Sequence, residues 1–302
     1  MNPDTPVIVT PGHLAGPGDP DAALAQFFEE NETWQRWRPR DESTLAVHEQ
    51  QTARIELDHE ADGDRPRWTI AAYTSPVGEL HWQARFCHRT PVEIVMAVAD
   101  HLTSTLDSPA QSRRDDLLWG GHSLDSAVRL ALQDTGQRTF APDSPPDALL
   151  RDEDSPGAAT RLAHLEANPP WRTELGNRFT RPDGTGGIHL PVQVTGSTAA
   201  VPGAVLWGGP RGYEQLRWKA EFSAGCPAAL VVAALNELVE PQPAERLRGQ
   251  VPAAHVPQVR IEARPTRCSA ATAHGHHRPS SGIPPAPAST DPAPPGGERR
   301  HR

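Results

Sequence analysis

Apolar and polar residues alternate along 53–59, 67–73 and 79–86, the period-two pattern of strands buried on one face. In the last of these, Leu80, Trp82, Ala84 and Phe86 share one side, with His81, Gln83 and Arg85 on the other. A slip of one residue would turn all four apolar side chains to water, so the register is well specified. The period then changes. Val95, Val98, Ala99 and Leu102 follow at helical spacing, behind Thr90-Pro91-Val92-Glu93, which predicts a capping box with proline at the first helical position. Val92, Ile94 and Met96 carry apolar surface further round this helix, so it needs a partner besides its own sheet. Upstream, Asp19-Pro20 predicts an N-cap and a helix running to about Glu30. Turns rich in Gly, Pro and Asp separate these segments: 62–64, 76–78, 182–184 and 208–210.

The pattern occurs twice. Residues 80–86 (Leu-His-Trp-Gln-Ala-Arg-Phe) return as 216–222 (Leu-Arg-Trp-Lys-Ala-Glu-Phe), an offset of 136. The match continues through Pro91/Pro227, Val95/Val231, Ala97/Ala233 and Leu102/Leu238, with eight identities in 23 positions. Further upstream the offset is 137: Ala22/Ala159, Glu29/Glu166, Asn31/Asn168 and Trp34/Trp171. The second block predicts a helix over 156–167, strands over 187–194, 204–207 and 215–222, and a closing helix carrying Val231, Ala234, Leu235 and Leu238. Ala228, Leu230 and Val232 widen its stripe too. The expected fold class is therefore α+β. It comprises two tandem copies of an α-β(3-4)-α domain, each an antiparallel sheet with the closing helix packed on one face. Residues 1–11 are expected as an N-terminal arm, 12–105 and 150–240 as the repeats, and 106–149 as a linker with a short helix. The excess apolar face of each closing helix predicts that the repeats pack together in pseudo-twofold fashion.

Composition changes this picture mainly at the C-terminus. Twelve of 33 prolines fall in residues 241–302, where apolar periodicity is nearly absent, so this stretch is expected to be a disordered tail. That tail holds nine arginines against four acidic residues, leaving −14 of the net charge of −9 on residues 1–240. So acidic a body repels phosphate backbones, and nucleic-acid association is left to the tail alone. The 302 residues contain no run near the roughly 20 apolar residues of a membrane span, and no apolar run behind a basic N-terminus; neither anchor nor secretory signal is expected. Three well-separated cysteines, Cys87, Cys226 and Cys268, suit a reducing, cytoplasmic setting better than a disulfide scaffold. Lys219 is the one lysine among 29 basic residues, and with abundant Ala, Gly and Pro this points to a high-GC bacterial coding sequence.

Chemical motifs are few. Gly121-His122-Ser123-Leu124-Asp125 has the outline of a nucleophile elbow, with Ser123 and His122 as its reactive groups. Its fifth position is Asp instead of Gly, and no buried strand precedes it, so Ser123 reads better as the N-cap of a helix over 124–133. His274, His276 and His277 could bind a metal through neutral imidazoles, but no carboxylate or cysteine stands at ligand spacing. Gly16-Pro17-Gly18-Asp19 lacks the lysine and strand of a phosphate loop. Cys87 and Cys226 occupy different repeat positions and read as small apolar residues. Trp34/Trp171 and Trp82/Trp218 read as paired core anchors. Trp37, Trp68, Trp119 and Trp207 have no matching tryptophan and are the candidates for a surface contact. No cofactor is implied.

Two motifs carry a family resemblance. Pro11-Gly12-His13-Leu14-Ala15-Gly16-Pro17-Gly18-Asp19, and Trp82-x-Ala-x-Phe86 leading into Thr90-Pro91-x-Glu93, resemble the SPDY-domain family, domain of unknown function 317. The resemblance implies a bacterial protein, often with two tandem copies, and no assigned activity or catalytic residues. Thr180-Arg181-Pro182-Asp183-Gly184 stands where the family's Ser-Pro-Asp signature falls, with Arg181 in place of Ser. The first copy lacks that signature, and the second lacks the Leu-Ala-Gly-Pro-Gly-Asp opening and the Thr-x-x-Glu cap. A function tied to one motif is therefore expected in one copy only. The reading that follows is a cytosolic, non-enzymatic binding or scaffold module with a protein partner. The alternatives are a hydrolase using Ser123 and a nucleic-acid-associated protein acting through its tail.

Overall fold

The structure, a computed structural model, describes residues 2–40, 42–63, 65–108, 124–134, 171–174, 177–191 and 202–264. It is α+β, with two antiparallel sheets and four α-helices among these residues. After β1 (Pro6–Thr10) come α1 (Pro20–Glu30), β2 (Trp34–Arg40), β3 (Ser43–His48), β4 (Ala53–Asp58), β5 (Pro66–Tyr73), β6 (Leu80–Cys87) and α2 (Val92–Leu106). Then follow α3 (Leu124–Asp134), β7 (Arg172–Glu174), β8 (Arg178–Thr180), β9 (Gly186–His189), β10 (Pro202–Gly208), β11 (Trp218–Ser223) and α4 (Ala228–Val239). Two short strands close the described chain, β12 (Ala244–Leu247) and β13 (Arg260–Ala263).

Ten strands form one sheet in the order β2-β3-β4-β5-β6-β11-β10-β9-β8-β7. Either edge inward, the order meets five strands in sequence and then the centre. There β6 and β11 pair antiparallel, with Phe86 opposite Ala220, Arg85 opposite Glu221 and Ala84 opposite Phe222. The offset of 136 relates Ala84 to Ala220, Arg85 to Glu221 and Phe86 to Phe222, so the pairing is self-complementary about Arg85 and Glu221. Trp82, Ala84, Phe86, Trp218, Ala220 and Phe222 all point to one face, where α1 to α4 pack into one continuous core. The stripes Val95/Val98/Ala99/Leu102 and Val231/Ala234/Leu235/Leu238 are fully buried, and α2 lies against α4. Each closing helix thus covers the other's excess apolar surface, which would otherwise be an exposed patch.

Local chemistry explains the ends of these elements. The Asp19 carboxylate accepts from the Asp21 and Ala22 amides at 3.1 and 3.0 Å, capping α1 as its sequence requires. The expected capping box at Thr90 does not form. Pro91 takes the cap position, so Thr90 sits one residue outside the helix and its hydroxyl donates to the Lys219 carbonyl at 3.2 Å. The Val92 amide instead donates to the Pro17 carbonyl at 3.0 Å, and Glu93 pairs with Arg246. Leu80, expected inward, is 47 % exposed, because β6 runs past the end of the core there.

Three expectations are corrected. Each half of the sheet holds five strands, not three or four. β3 escaped because its buried positions are Thr44, Ala46 and His48, which no hydrophobic alternation flags. β2 escaped because Trp34 is its one buried side chain among residues 34–39. Residues 1–11 are no loose arm, and the disordered tail does not begin at 241. β1 is the middle strand of a second sheet, between β12 and β13, over a small core of Val7, Val9, Ala15, Ala244 and Val251. Alternation over only four residues in β12 and β13 is too short to stand out among prolines. The expected short helix between the repeats is α3, whose Val128 and Leu132 join the main core.

Candidate functional site

The face of the large sheet opposite the helices carries the other parity of each strand. At its centre, His81, Gln83, Arg85 and Cys87 of β6 stand beside Lys219, Glu221 and Ser223 of β11. A cleft of about 620 Å³ opens here, walled by the turn after β6 and by the short 3-10 turn Glu214–Leu216 before β11. Four cations line it (Arg85, Arg89, Arg217 and Lys219) against two carboxylates, Glu214 and Glu221. Both carboxylates are already engaged. Glu214 holds Arg217 at 3.2 Å, and Glu221 holds Lys219 at 2.5 Å along its own strand. Arg217 also lies over the Trp207 ring, 4.1 Å from its centroid. Arg89 donates to the Gln215 carbonyl. Arg85 has no carboxylate partner among the described residues, and two buried cleft nitrogens, His88 Nδ1 and Arg217 Nε, have no hydrogen-bond partner there. The Cys87 sulfur accepts from the Lys219 amide at 3.2 Å.

Behind the core a second polar constellation joins the halves. The Asp183-Gly184-Thr185 turn directs the Thr185 hydroxyl onto Asp183 Oδ1 at 2.7 Å. Since that hydroxyl has one proton, the 3.0 Å contact with His13 Nε2 must be donated by the imidazole. Burial and the nearby Arg181 guanidinium push the His13 pKa down to about 3, so the ring is neutral. Burial raises the Asp183 pKa, but Arg181 and the two Thr185 bonds outweigh it and hold the carboxylate below its usual range. The hydroxyl lies between His and Asp and donates its hydrogen bond to the carboxylate, so His13 is not placed to act as its base. The arrangement is a hydrogen-bonded chain from a neutral imidazole to a carboxylate that ties the two segments together. Trp218 Nε1 donates to the His13 carbonyl at 2.9 Å, and His255 Nδ1 donates to that of Leu14 at 2.8 Å.

The unit β4–β5–β6–α2, with Trp82, Ala84 and Phe86 inward and Pro91 before the helix, is now in place. Residues 50–108 match the SPDY family, described as a domain of unknown function (DUF317). No curated protein and no solved structure matches the chain. The SPDY segment supplies Arg85, Cys87, His88 and Arg89 to the central cleft, and residues outside the match supply the rest. The opening motif around His13 and the Pro182-Asp183 signature, expected to serve separate copies, meet in one hydrogen-bonded junction. No described helix is long and apolar enough to cross a membrane.

The tryptophans expected at a surface divide. Trp37 is 58 % exposed on the edge strand β2. Trp68 is 1 % exposed and belongs to the core, because its parity on β5 matches that of Ile70 and Ala72. Trp207 lies on the open face but is only 8 % exposed, covered by the guanidiniums of Arg178 and Arg217. Trp119, His122, Ser123, His274, His276 and His277 lie outside the described residues. Among the described residues no three His, Cys, Asp or Glu side chains are grouped to hold a metal. Cys87 is half-buried and Cys226 buried, both as free thiols, and burial pushes the Cys226 thiol pKa well up. In the sequence Arg85 stands out only as an outward side chain and Lys219 only as the one lysine. Their signal was the repeat itself: outward residues of the one repeated strand become neighbours if the copies pair through it.

Proposed function

We propose that the chain is a non-enzymatic binding module of the cytosol of a high-GC bacterium, built from two tandem SPDY-like halves that share one sheet and offer its open face to a ligand or partner. The observation that carries this reading is the self-complementary pairing of β6 with β11, which sets Arg85 opposite Glu221, its counterpart 136 residues on, and forms a cleft from both halves. The mirrored strand order and the packing of α2 on α4 support descent from one duplicated domain. In support of a binding role, the buried His13–Thr185–Asp183 chain has its hydroxyl hydrogen directed at the carboxylate and not at the imidazole, the wrong order for nucleophilic attack. The free thiols Cys87 and Cys226 agree with a reducing compartment.

A fluorophosphonate probe on the full chain tests the non-enzymatic reading. The expected result is no labelling. Labelling at Ser123 that Ser123→Ala abolishes would establish the hydrolase instead.

A further inference from the structure

We infer that the central cleft is a binding site for a small ligand carrying two or more oxyanion groups, phosphate or carboxylate, held by Arg85 and Arg89 with Arg217 and Lys219 beside them. This rests on the reading of the sheet face as a binding surface and gives that surface a ligand chemistry. Charge pairing comes first. The two carboxylates of the cleft are each engaged by one cation, Glu214 by Arg217 and Glu221 by Lys219. Arg85 and Arg89 are left in excess, a local reversal of sign in an acidic body. Arg89 gives a donor to the Gln215 carbonyl, and a guanidinium has five. Arg85 sits half-buried at the middle of the sheet, and the carboxylate opposite it, Glu221, is already bound to Lys219, so its guanidinium has donors left for an added anion.

Geometry agrees with charge. Arg85 projects from a central strand, hydrogen-bonded on both sides by β5 and β11, so its base is rigid. A planar guanidinium on a fixed strand is suited to bidentate capture of a carboxylate or phosphate. His88 and Arg217 also line the cleft and bring further N–H groups to its wall. The volume of about 620 Å³ suits a small molecule and is within the usual range for ligand sites. Because the cations come from both β6 and β11, neither half holds the site alone.

Isothermal titration of the full chain with pyrophosphate, ATP and citrate, at low and moderate salt, tests the proposal. Saturable, mutually competitive binding that weakens with salt is expected; the preferred probe tells phosphate from carboxylate. Arg85→Ala should raise the Kd about tenfold or more, with Arg85→Lys recovering part of the loss. Arg89→Ala should weaken binding from outside the sheet, which keeps the test decisive if Arg85→Ala unfolds. Glu221→Gln should tighten binding by freeing Lys219. Three outcomes overturn the inference: no binding of any probe at millimolar concentration, affinity untouched by both Arg→Ala changes, or a single-stranded oligonucleotide binding more tightly than all three. Any of these with the fluorophosphonate still unreactive removes the oxyanion site and leaves the binding module standing. Labelling at Ser123 removes the module itself.

Discussion

The two halves of the large sheet agree at its centre and part company towards its edges. β6 and β11, and the helices behind them, match position by position: Trp82 with Trp218, Phe86 with Phe222, Leu102 with Leu238, all buried. At the outer edges, β2 and β3 run seven and six residues, whereas β7 and β8 run three each. Central positions are packed from both sides of the seam, so a change in one half must be answered in the other. The outermost strands, β2 and β7, meet a neighbour on one side only, and the strands beside them lie away from the seam, so they are freer to differ. The contrast extends to indole donors. Trp34 Nε1 reaches Thr103 and Trp218 Nε1 reaches the His13 carbonyl, both at 2.9 Å, whereas those of Trp171 and Trp82 are buried without partners among the described residues. It extends to single atoms as well. Ala72 faces Trp82 in the first half, and Gly208 faces Trp218 at the equivalent place in the second.

The largest effect should come from the strands that brace the halves from outside. A chain ending at residue 264 is expected to keep the melting temperature of the full chain. One ending at 240 loses β12, β13 and Arg246, a 4 % exposed side chain that pairs with Glu93 on α2 and also donates to the Gly16 carbonyl. It also bares Val7 and Val9. That shorter chain should aggregate or unfold. Equal stability of both truncations by differential scanning calorimetry would refute the bracing role. Next come the paired indoles. Trp82→Ala and Trp218→Ala should each cost about 3–5 kcal/mol in urea unfolding. Replacement by Phe should separate them. Trp218→Phe leaves the buried His13 carbonyl without its donor and costs about 1 kcal/mol more than Trp82→Phe, which removes an unpaired N–H. Equal costs would show that the bond contributes nothing.

The junction between the opening motif and the Asp183 turn should be sensitive to acid. His13 is neutral in the folded protein, with a pKa of about 3 against an ordinary value of 6.5. Between those values the unfolded chain binds the extra proton, so stability falls as pH drops through 6.5 towards 3. His101 and His255, also lowered by burial, act in the same direction, whereas Asp100 and Glu237, raised by burial, oppose them. His13→Gln isolates the junction: unfolding free energies between pH 7 and 4 should depend less on pH than in the parent, and parallel curves would exclude His13 as the source. The smallest effects concern Ala72 and Gly208. A Cβ on Gly208 would stand 2.5 Å from the Trp218 ring, so Gly208→Ala should cost about 1–3 kcal/mol by overpacking. Ala72→Gly should cost about 1 kcal/mol through chain entropy and a lost methyl. If both cost the same or Gly208→Ala is neutral, the halves are not distinguished at this position.

Much of the fold was legible where chemistry repeats at short range. The Asp19 cap, the inward parity of Trp82, Ala84 and Phe86, and the stripe from Val95 to Leu102 each depend on residues a few positions apart. The central cleft was not legible. Arg85 and Lys219 are 134 positions apart, and nothing near either announces that β6 and β11 pair. Polar burial misled in the same way. His48 is buried because Asp107, 59 residues later, accepts from its ring at 3.1 Å, and the expected cap at Thr90 failed because that hydroxyl found Lys219 in the other half.

The sequence by itself determined the α+β class, the period of its best-patterned strands and helices, and the repeated block at an offset of 136, since alternation, helical stripes and self-similarity are properties of neighbouring residues. Tertiary structure alone decided that the repeated strands join edge to edge, and that residues 6–10 lie between two strands from beyond 240. It also decided that His13 meets Thr185, and that among the described residues Arg85 on the central strand and Arg89 in the turn after it are left without a carboxylate ion pair. Those outcomes depend on which buried groups find partners across long stretches of chain, and local patterns carry no record of that.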